Sequence, residues 1–503
     1  MPIKPTTVAV CLLTFIGLWH LSTIRTGHEW GDDFSLYILH AKNLVEGRPY
    51  AETGYIYNPD APISPRSYPP GFPMLLAPVY ARWGLNLTAM KVELIGCFLV
   101  ALTAIFVACR RFLSEWEALA LVATVGLNPF FWSFKDQVLS DIPFLLVTYI
   151  ALSFAARLDD PRPHERVSVR IVALASVALL VASAIRTVGL VLLPTLLLTD
   201  LLHAKRLRHR TMLVCAPTLC AAVWCLATAK TRGGYIHQWH AHLPLILANV
   251  NYYTKELRDL WHNGYAKALM RAMFLAVNGL GFVGYYWNVR KGASVFEVFA
   301  WCYVAVVALW PQYQGIRLLI PVIPLYVAYA IIGLRTLRSW RLFAWLPRRS
   351  PAWLFGIVLV SYGARYTTMD YGPIREGIAQ PATVELFEYV TYHTSPDSVC
   401  LFIKPRALAL FTGRRASVYA PAGDEELLRY CTRIGARYVI ATRLFEQDRA
   451  VLQPFLARHP DRFEQEYTNR DFTVYRVKEA SYFKTSAKNA VISSQDWRSA
   501  SAL

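Results

Sequence analysis

The chain has 503 residues, 55% of them hydrophobic and 17% charged, with a mean hydropathy of +0.31. That balance excludes an ordinary soluble enzyme and indicates a polytopic membrane protein. The formal net charge of +18 lies mostly in short hydrophilic loops between apolar segments. It reads as retention of cytoplasmic loops and attraction to anionic lipid, with no nucleic-acid partner.

Taken in chain order, hydropathy predicts about eleven membrane spans. They cover 6–24, 88–109, 116–134, 141–157, 169–185, 187–202, 211–229, 266–288, 294–311, 318–334 and 351–366. No small-residue cleavage site follows the first apolar run, which predicts a retained helix and not a signal peptide. With the N-terminus in the cytoplasm, the inside loops hold Arg110 and Arg111, then Arg157, Arg162, Arg166 and Arg170, then Lys205, Arg206, Arg208 and Arg210. The last two inside loops hold Arg290 and Lys291, then Arg335, Arg338, Arg341, Arg348 and Arg349. The short outside turns carry a single base each, Lys135, Arg186 and Arg317, as the positive-inside rule requires.

The expected class is therefore mostly α: a helical membrane bundle with a large first extracytoplasmic loop and a small extracytoplasmic α/β domain at the C-terminus. Residues 1–366 form the transmembrane domain, with outside loops 25–87 and 230–265. Residues 367–478 form the α/β domain, and the Ser-rich 479–503 a disordered tail. Within 367–478, helices are expected over Thr383–Thr394 and Leu427–Ile434. Strands are expected over Ser398–Ile403, Ala416–Tyr419, Tyr438–Thr442 and Phe472–Val477. Seven cysteines (Cys11, Cys97, Cys109, Cys215, Cys220, Cys225 and Cys302) lie in apolar segments as small hydrophobes. Cys400 and Cys431 lie in the polar tail, where a disulfide is open to them if that tail is extracytoplasmic.

The chemistry concentrates at the outer ends of the spans. Asp32 and Asp33 follow the first span directly, where a carboxylate meets the lipid boundary; the alternative is a simple helix cap. The proline-rich run Pro65-Arg66-Ser67-Tyr68-Pro69-Pro70-Gly71-Phe72-Pro73 comes next. Lys135, Asp141, Arg186 and Arg317 are isolated charges at membrane depth, which usually face a cavity and otherwise snorkel. An outside carboxylate can take a proton from a hydroxyl. Arginines and a lysine can hold a phosphate leaving group. Asp141 can hold a divalent metal such as Mg, Mn or Zn, or else orient one of the cations or cap its helix. His237, His240 and His242 are a second, weaker metal candidate. No nucleotide-binding loop is present.

On these motifs the chain resembles the polytopic glycosyltransferases that use polyprenyl-phosphate sugars, the C-type superfamily. Its relatives include protein O-mannosyltransferases and lipid A aminoarabinose transferases. The family pattern is an acid, a Tyr four positions on, an Ala–Arg pair and an L-x-x-G. Here Asp33-Phe-Ser-Leu-Tyr37 continues through Ala41, Lys42, Leu44 and Gly47. The register puts the catalytic aspartate on Asp33, with Asp32 second. Tyr68-Pro-Pro-Gly-Phe-Pro73, Ser140-Asp141-Ile-Pro143 and Arg317-Leu-Leu-Ile-Pro321-Val-Ile-Pro324 are similar to later elements. The departures are Lys42 for the usual Arg and Phe34 at the second-acid position.

The resemblance implies transfer of a sugar from a polyprenyl-phosphate donor to a hydroxyl of an extracytoplasmic acceptor (glycolipid, polysaccharide or protein), with inversion. Arg317, Arg186 and Lys135 would bind the donor phosphate, with Arg66 and Tyr68 in reserve. The expected location is the inner (plasma) membrane, multi-pass, with the site and C-terminal domain outside. The alternatives are a transporter or flippase of a lipid-linked sugar, whose intramembrane charges would line a path, and a polysaccharide polymerase or ligase.

Overall fold

The computed structural model describes residues 4–61, 65–159, 168–228, 242–262, 264–340 and 350–478. The chain divides into two compact units. One holds Met1–His28, His40–Pro49 and Ser67–Ile374, the other Glu29–Leu39, Tyr50–Arg66 and Arg375–Leu503. The C-terminal unit thus also draws in two stretches of the first loop.

The first unit is helical, and every apolar segment read from hydropathy carries helix. Among the described residues six helices are long and apolar enough to cross a membrane: Pro5–Ser22, Leu87–Cys109, Asp141–Leu158, Thr187–Ala204, His209–Ala227 and Lys267–Gly292. Val169–Ile185 and Val295–Ala308 are shorter and apolar. The segment expected at 116–134 is two helices, Glu115–Gly126 and Pro129–Phe134. Asn128 starts the second by accepting the Phe130 N–H at 2.8 Å, with Pro129 at the first helical position, where its missing N–H costs nothing. In the same way Pro321 and Pro324 separate the 3-10 turn Gly315–Leu319 from the helix Ile323–Arg338. A further helix, Leu243–Asp259, lies in the expected second outer loop.

The second unit is built on a six-stranded sheet. Its strands are β1 (Tyr55–Ile56), β2 (Val399–Leu401), β3 (Arg415–Ser417), β4 (Tyr438–Thr442), β5 (Phe463–Thr468) and β6 (Phe472–Val477), in the order β1-β3-β2-β4-β6-β5. The first four in that order run parallel, while β6 is antiparallel to β4 and β5 to β6. Helices Pro405–Thr412 and Asp424–Ile434 make the crossovers that parallel pairing requires. Trp30, from the first loop, is buried edge-on against Phe387, Phe402, Phe445 and Phe472, with centroids 6.0–6.2 Å apart. Such aromatic contacts add to the area buried, so Trp30 pins the loop segment into the core. Cys400 and Cys431 are both buried and carry free thiols.

One buried carboxyl ties the sheet to its last crossover. Asp448 accepts the Tyr419 hydroxyl at 2.5 Å and the Thr442 N–H at 2.8 Å. Burial pushes its pKa up to about 6, against those two hydrogen bonds. An unfolded Asp titrates near ~3.9, so the stability that Asp448 contributes is full below about pH 4 and falls by roughly 3 kcal/mol as pH rises through about 6. Asp448→Asn keeps an acceptor for the Thr442 N–H, and its amide N–H can donate to the Tyr419 oxygen in place of the bond that oxygen's proton made. Amide protection of the Tyr438–Thr442 strand, corrected for intrinsic exchange, is expected to fall between about pH 4 and 7 in the parent and to stay flat in the variant. Equal slopes in the two proteins would show that Asp448 is not the titrating group.

Candidate functional site

The first unit holds the phosphate-binding candidates. The Asp141–Leu158 helix opens on Asp141, which is buried. Its Oδ1 pairs with the Arg186 guanidinium, and its Oδ2 with that of Arg317 at 3.2 Å. One carboxylate thus holds two guanidiniums. Arg186 sits in extended backbone (φ −143°, ψ 135°) between the Val169–Ile185 helix and the 3-10 turn Thr187–Val191. Two glycines make that break. A Cβ on Gly189 would overlap the Ala182 carbonyl, and one on Gly71 would overlap the backbone of Ala184 and Ile185. The Tyr68–Pro73 motif therefore supplies, through Gly71, the close approach that fits the Gly71–Trp83 helix against the Arg186 bend. Tyr68 is itself buried, and its backbone N–H donates to His40 Nε2 at 3.4 Å.

Arg317 lies in the turn Gly315–Leu319. Leu319 of that turn, with Val322 and Ile323, lines a cavity of about 520 Å³ whose other walls include Tyr253, Phe282, Val304 and Tyr326. The cavity is apolar apart from a few tyrosine, asparagine and threonine groups. It is of the size that holds a small-molecule or lipid segment.

Lys135 stands with different partners. Its ammonium pairs with Asp136 at 2.7 Å and lies 4.0 Å from the centre of the Trp132 ring. Lys91 approaches the same carboxylate at 3.7 Å and donates to the carbonyls of Arg25 and Gly27, each at 2.7 Å. Arg25 N–H donates to Asp136 at 3.0 Å, and the Val138 N–H donates to His28 Nε2 at 2.9 Å. This buried group clamps the chain as it leaves the first helix.

The aspartate pair belongs to the second unit. Asp32 and Asp33 form the first turn of the Asp32–Glu46 helix, where the helix dipole favours negative charge. Their partner is Arg406, a residue that sequence reasoning missed. Its guanidinium lies 3.6 Å from Asp32 and 3.4 Å from Asp33, donates to the Pro65 carbonyl at 3.3 Å, and covers the Tyr55 ring at 4.8 Å. The Arg406 side chain is only 1% exposed. Asp32 also accepts the Ala407 N–H at 3.1 Å. It thereby satisfies an N-terminal donor of the Pro405–Thr412 helix, whose N-cap residue Lys404 makes no capping bond of its own. Nothing in the sequence pointed to the pairing. Burial raises the Asp32 carboxyl above its ordinary range, opposed by Arg406, Lys404 and the Ala407 N–H. Arg66 is exposed and falls in the second unit, whereas Tyr68 falls in the first.

Among the described residues no group of three or more His, Cys, Asp or Glu could hold a metal. His242 caps the Leu243–Asp259 helix by accepting the Leu245 N–H at 3.2 Å; His237 and His240 lie outside the described residues. Both oxygens of Asp141 already face guanidinium groups, so a divalent cation there would have to displace an arginine. The donor set does not fit a metal at Asp141.

No family model matches the sequence, and no curated protein matches it. Solved structures do match. ArnT from Cupriavidus metallidurans bound to undecaprenyl phosphate superimposes with a TM-score of 0.58 over 93% of this chain and 97% of that one, at 14% identity. The oligosaccharyltransferase AglB from Archaeoglobus fulgidus, in complex with an inhibitory peptide and a dolichol-phosphate, gives 0.54 over 94% and 74%, at 10% identity. The same archaeal enzyme in complex with Zn and sulfate gives 0.53 over 93% and 73%, at 11% identity. At such identities the likeness is one of fold. This chain shares its fold with ArnT and with that oligosaccharyltransferase, a likeness the sequence motifs led one to expect.

Proposed function

We propose that this chain is a membrane glycosyltransferase that moves one sugar from a polyprenyl-phosphate donor to a hydroxyl of an extracytoplasmic acceptor. One observation carries the reading: the Asp141–Arg186–Arg317 cluster sets two guanidiniums on one carboxylate, and Arg317 stands two residues before Leu319, which lines an apolar cavity. A phosphate with a long apolar tail presents that same combination of charge and hydrocarbon. The likeness in fold to enzymes solved with undecaprenyl phosphate and dolichol-phosphate supports it.

In this reading the acceptor oxygen attacks the anomeric carbon while Asp33 takes its proton. The bond from that carbon to the phosphate oxygen breaks, the configuration inverts, and polyprenyl phosphate leaves. Arg186 and Arg317 hold the charge that develops on the leaving group. Asp141 orients the two guanidiniums and is not assigned to a metal. Asp32, bonded to Ala407, holds the helix start that presents Asp33. Lys135, paired with Asp136, keeps the loop after the first helix in place. Eleven spans, with the N-terminus inside and the C-terminal unit outside in a plasma membrane, complete the topology.

The direct test is incubation of the purified protein in proteoliposomes with a panel of radiolabelled polyprenyl-phosphate sugars. Label is expected to pass into a new glycoside. Label that crosses the bilayer still attached to the lipid would instead identify a flippase.

Asp33→Asn is expected to lower turnover by at least ~100-fold while donor binding is kept, because an amide cannot accept the proton. Asp32→Asn is expected to cost less, since the amide oxygen can still accept the Ala407 N–H. A reversal of the two effects would move the base to Asp32.

Arg317→Ala is expected to weaken donor binding by about ten- to a hundredfold, the value of a lost charge-assisted hydrogen bond. Arg317→Lys should weaken it less, since it keeps the charge and loses only the two-pronged grip. Equal losses would assign Arg317 to packing.

Asp141→Asn is expected to raise the donor KM and to be insensitive to chelator, as is the parent enzyme. Inhibition of the parent by chelator, partly relieved in Asp141→Asn by excess Mg, Mn or Zn, would return Asp141 to a metal.

A further inference from the structure

We infer that the second unit carries a saccharide-binding pocket at the carboxyl ends of strands β1 and β3, where a glycosyl residue of the acceptor docks. In parallel α/β sheets the crevice beyond the carboxyl ends of the strands is where ligands sit. Here the segment after β1 and the segment after β3 line one cleft of about 270 Å³, closed on its third side by the Asp424–Ile434 helix. The volume lies just below the ~300–1,000 Å³ of clefts for drug-sized ligands, which suits a single sugar ring.

The walls are built and held. Asn58 is buried; its amide donates to the Val418 carbonyl at 2.9 Å, and its oxygen accepts the Asp60 N–H at 3.1 Å. That turn fixes Asp60 at the rim. Ser417 donates to the Ile56 carbonyl at 2.8 Å and shares a hydrogen bond of 2.5 Å with the Tyr430 hydroxyl. The helix is thereby locked to both strands.

The chemistry of the lining selects the ligand. Two carboxylates, Asp60 and Glu426, and two guanidiniums, Arg429 and Arg433, line the cleft. Their charges cancel, so the pocket is not an anion site. All four are planar groups able to engage neighbouring hydroxyls in pairs. Ala420 and Ala422 add a small apolar patch. A sugar ring matches this surface, with a C–H face for the patch and a rim of hydroxyls that both donate and accept. The Asp60–Arg433 pair, at 3.3 Å with both side chains more than half exposed, contributes little to stability and is free to open onto a ligand.

That the bound saccharide belongs to the acceptor rests on the transferase reading, whereas binding itself does not. The test uses full-length protein in nanodiscs and saturation-transfer NMR with the methyl glycosides of glucose, galactose, mannose and N-acetylglucosamine. At least one is expected to bind. Asp60→Ala and Arg433→Ala are each expected to weaken it by about tenfold or more, as loss of a charged hydrogen-bond partner does. Asp33→Asn should leave binding unchanged. Both rim side chains are exposed, so the sheet's amide protection should be intact; Arg433→Gln gives a second, length-conserving variant. Failure of all four glycosides to bind, or undiminished binding in both Asp60→Ala and Arg433→Ala, would overturn the pocket. Once an acceptor is found in the transfer assay, Asp60→Ala should raise its KM and leave the donor KM unchanged. The opposite split would assign the pocket to the donor sugar and overturn its acceptor role. If no donor is turned over yet a glycoside binds as described, the transferase reading fails and the pocket stands.

Discussion

Burying a charge is expensive unless it is paired, and the polar interior of this protein follows from that constraint. Each buried group of ions is held by side chains from segments far apart in sequence. Asp141 gathers Arg186 and Arg317, Asp136 gathers Lys135 and Lys91, and Arg406 gathers Asp32 and Asp33. The lysine pair also donates, through Lys91, to backbone carbonyls at Arg25 and Gly27, so that group holds the chain as well as balancing charge.

Backbone interruption does the positioning in the helical unit. An arginine inside a continuous helix would project sideways into lipid or neighbouring helices. Here Arg186 lies where one helix ends and a 3-10 turn begins, and Arg317 in another 3-10 turn ahead of two prolines. Freed from the helical repeat, both guanidiniums reach the first turn of a third helix. Gly71 and Gly189 permit the bend at Arg186 because a Cβ at either would strike backbone.

The second unit shows the converse logic, in which a small sheet recruits what it needs from a distant loop. Its parallel strands end at β1, only two residues long and donated by the first loop. Trp30, from the same loop, fills the aromatic core. The aspartate pair enters with that segment, so the proposed base is part of the sheet unit and not of the helical one.

The sequence by itself determined the class, the helical segments and most of the strands. Lipid-spanning helices need long apolar runs, and buried strands such as Tyr438–Thr442 and Phe472–Val477 carry compact apolar patterns. The same reading singled out Lys135, Asp141, Arg186 and Arg317, because isolated charges at membrane depth stand out against an apolar background, and Asp33 by its register in the family motif. Strand β5, Phe-Glu-Gln-Glu-Tyr-Thr, escaped it: an edge strand exposed along most of its length shows no apolar alternation. Strand β1 escaped because two residues hold no pattern. Only the tertiary structure decided which charge meets which. The spacing of Asp32 from Arg406 or of Asp141 from Arg317 carries no periodic signal, since those pairs form through packing and not along one helix or strand. The tertiary structure also decided that Asp32 caps a helix other than its own, a contact with no local signature in the chain.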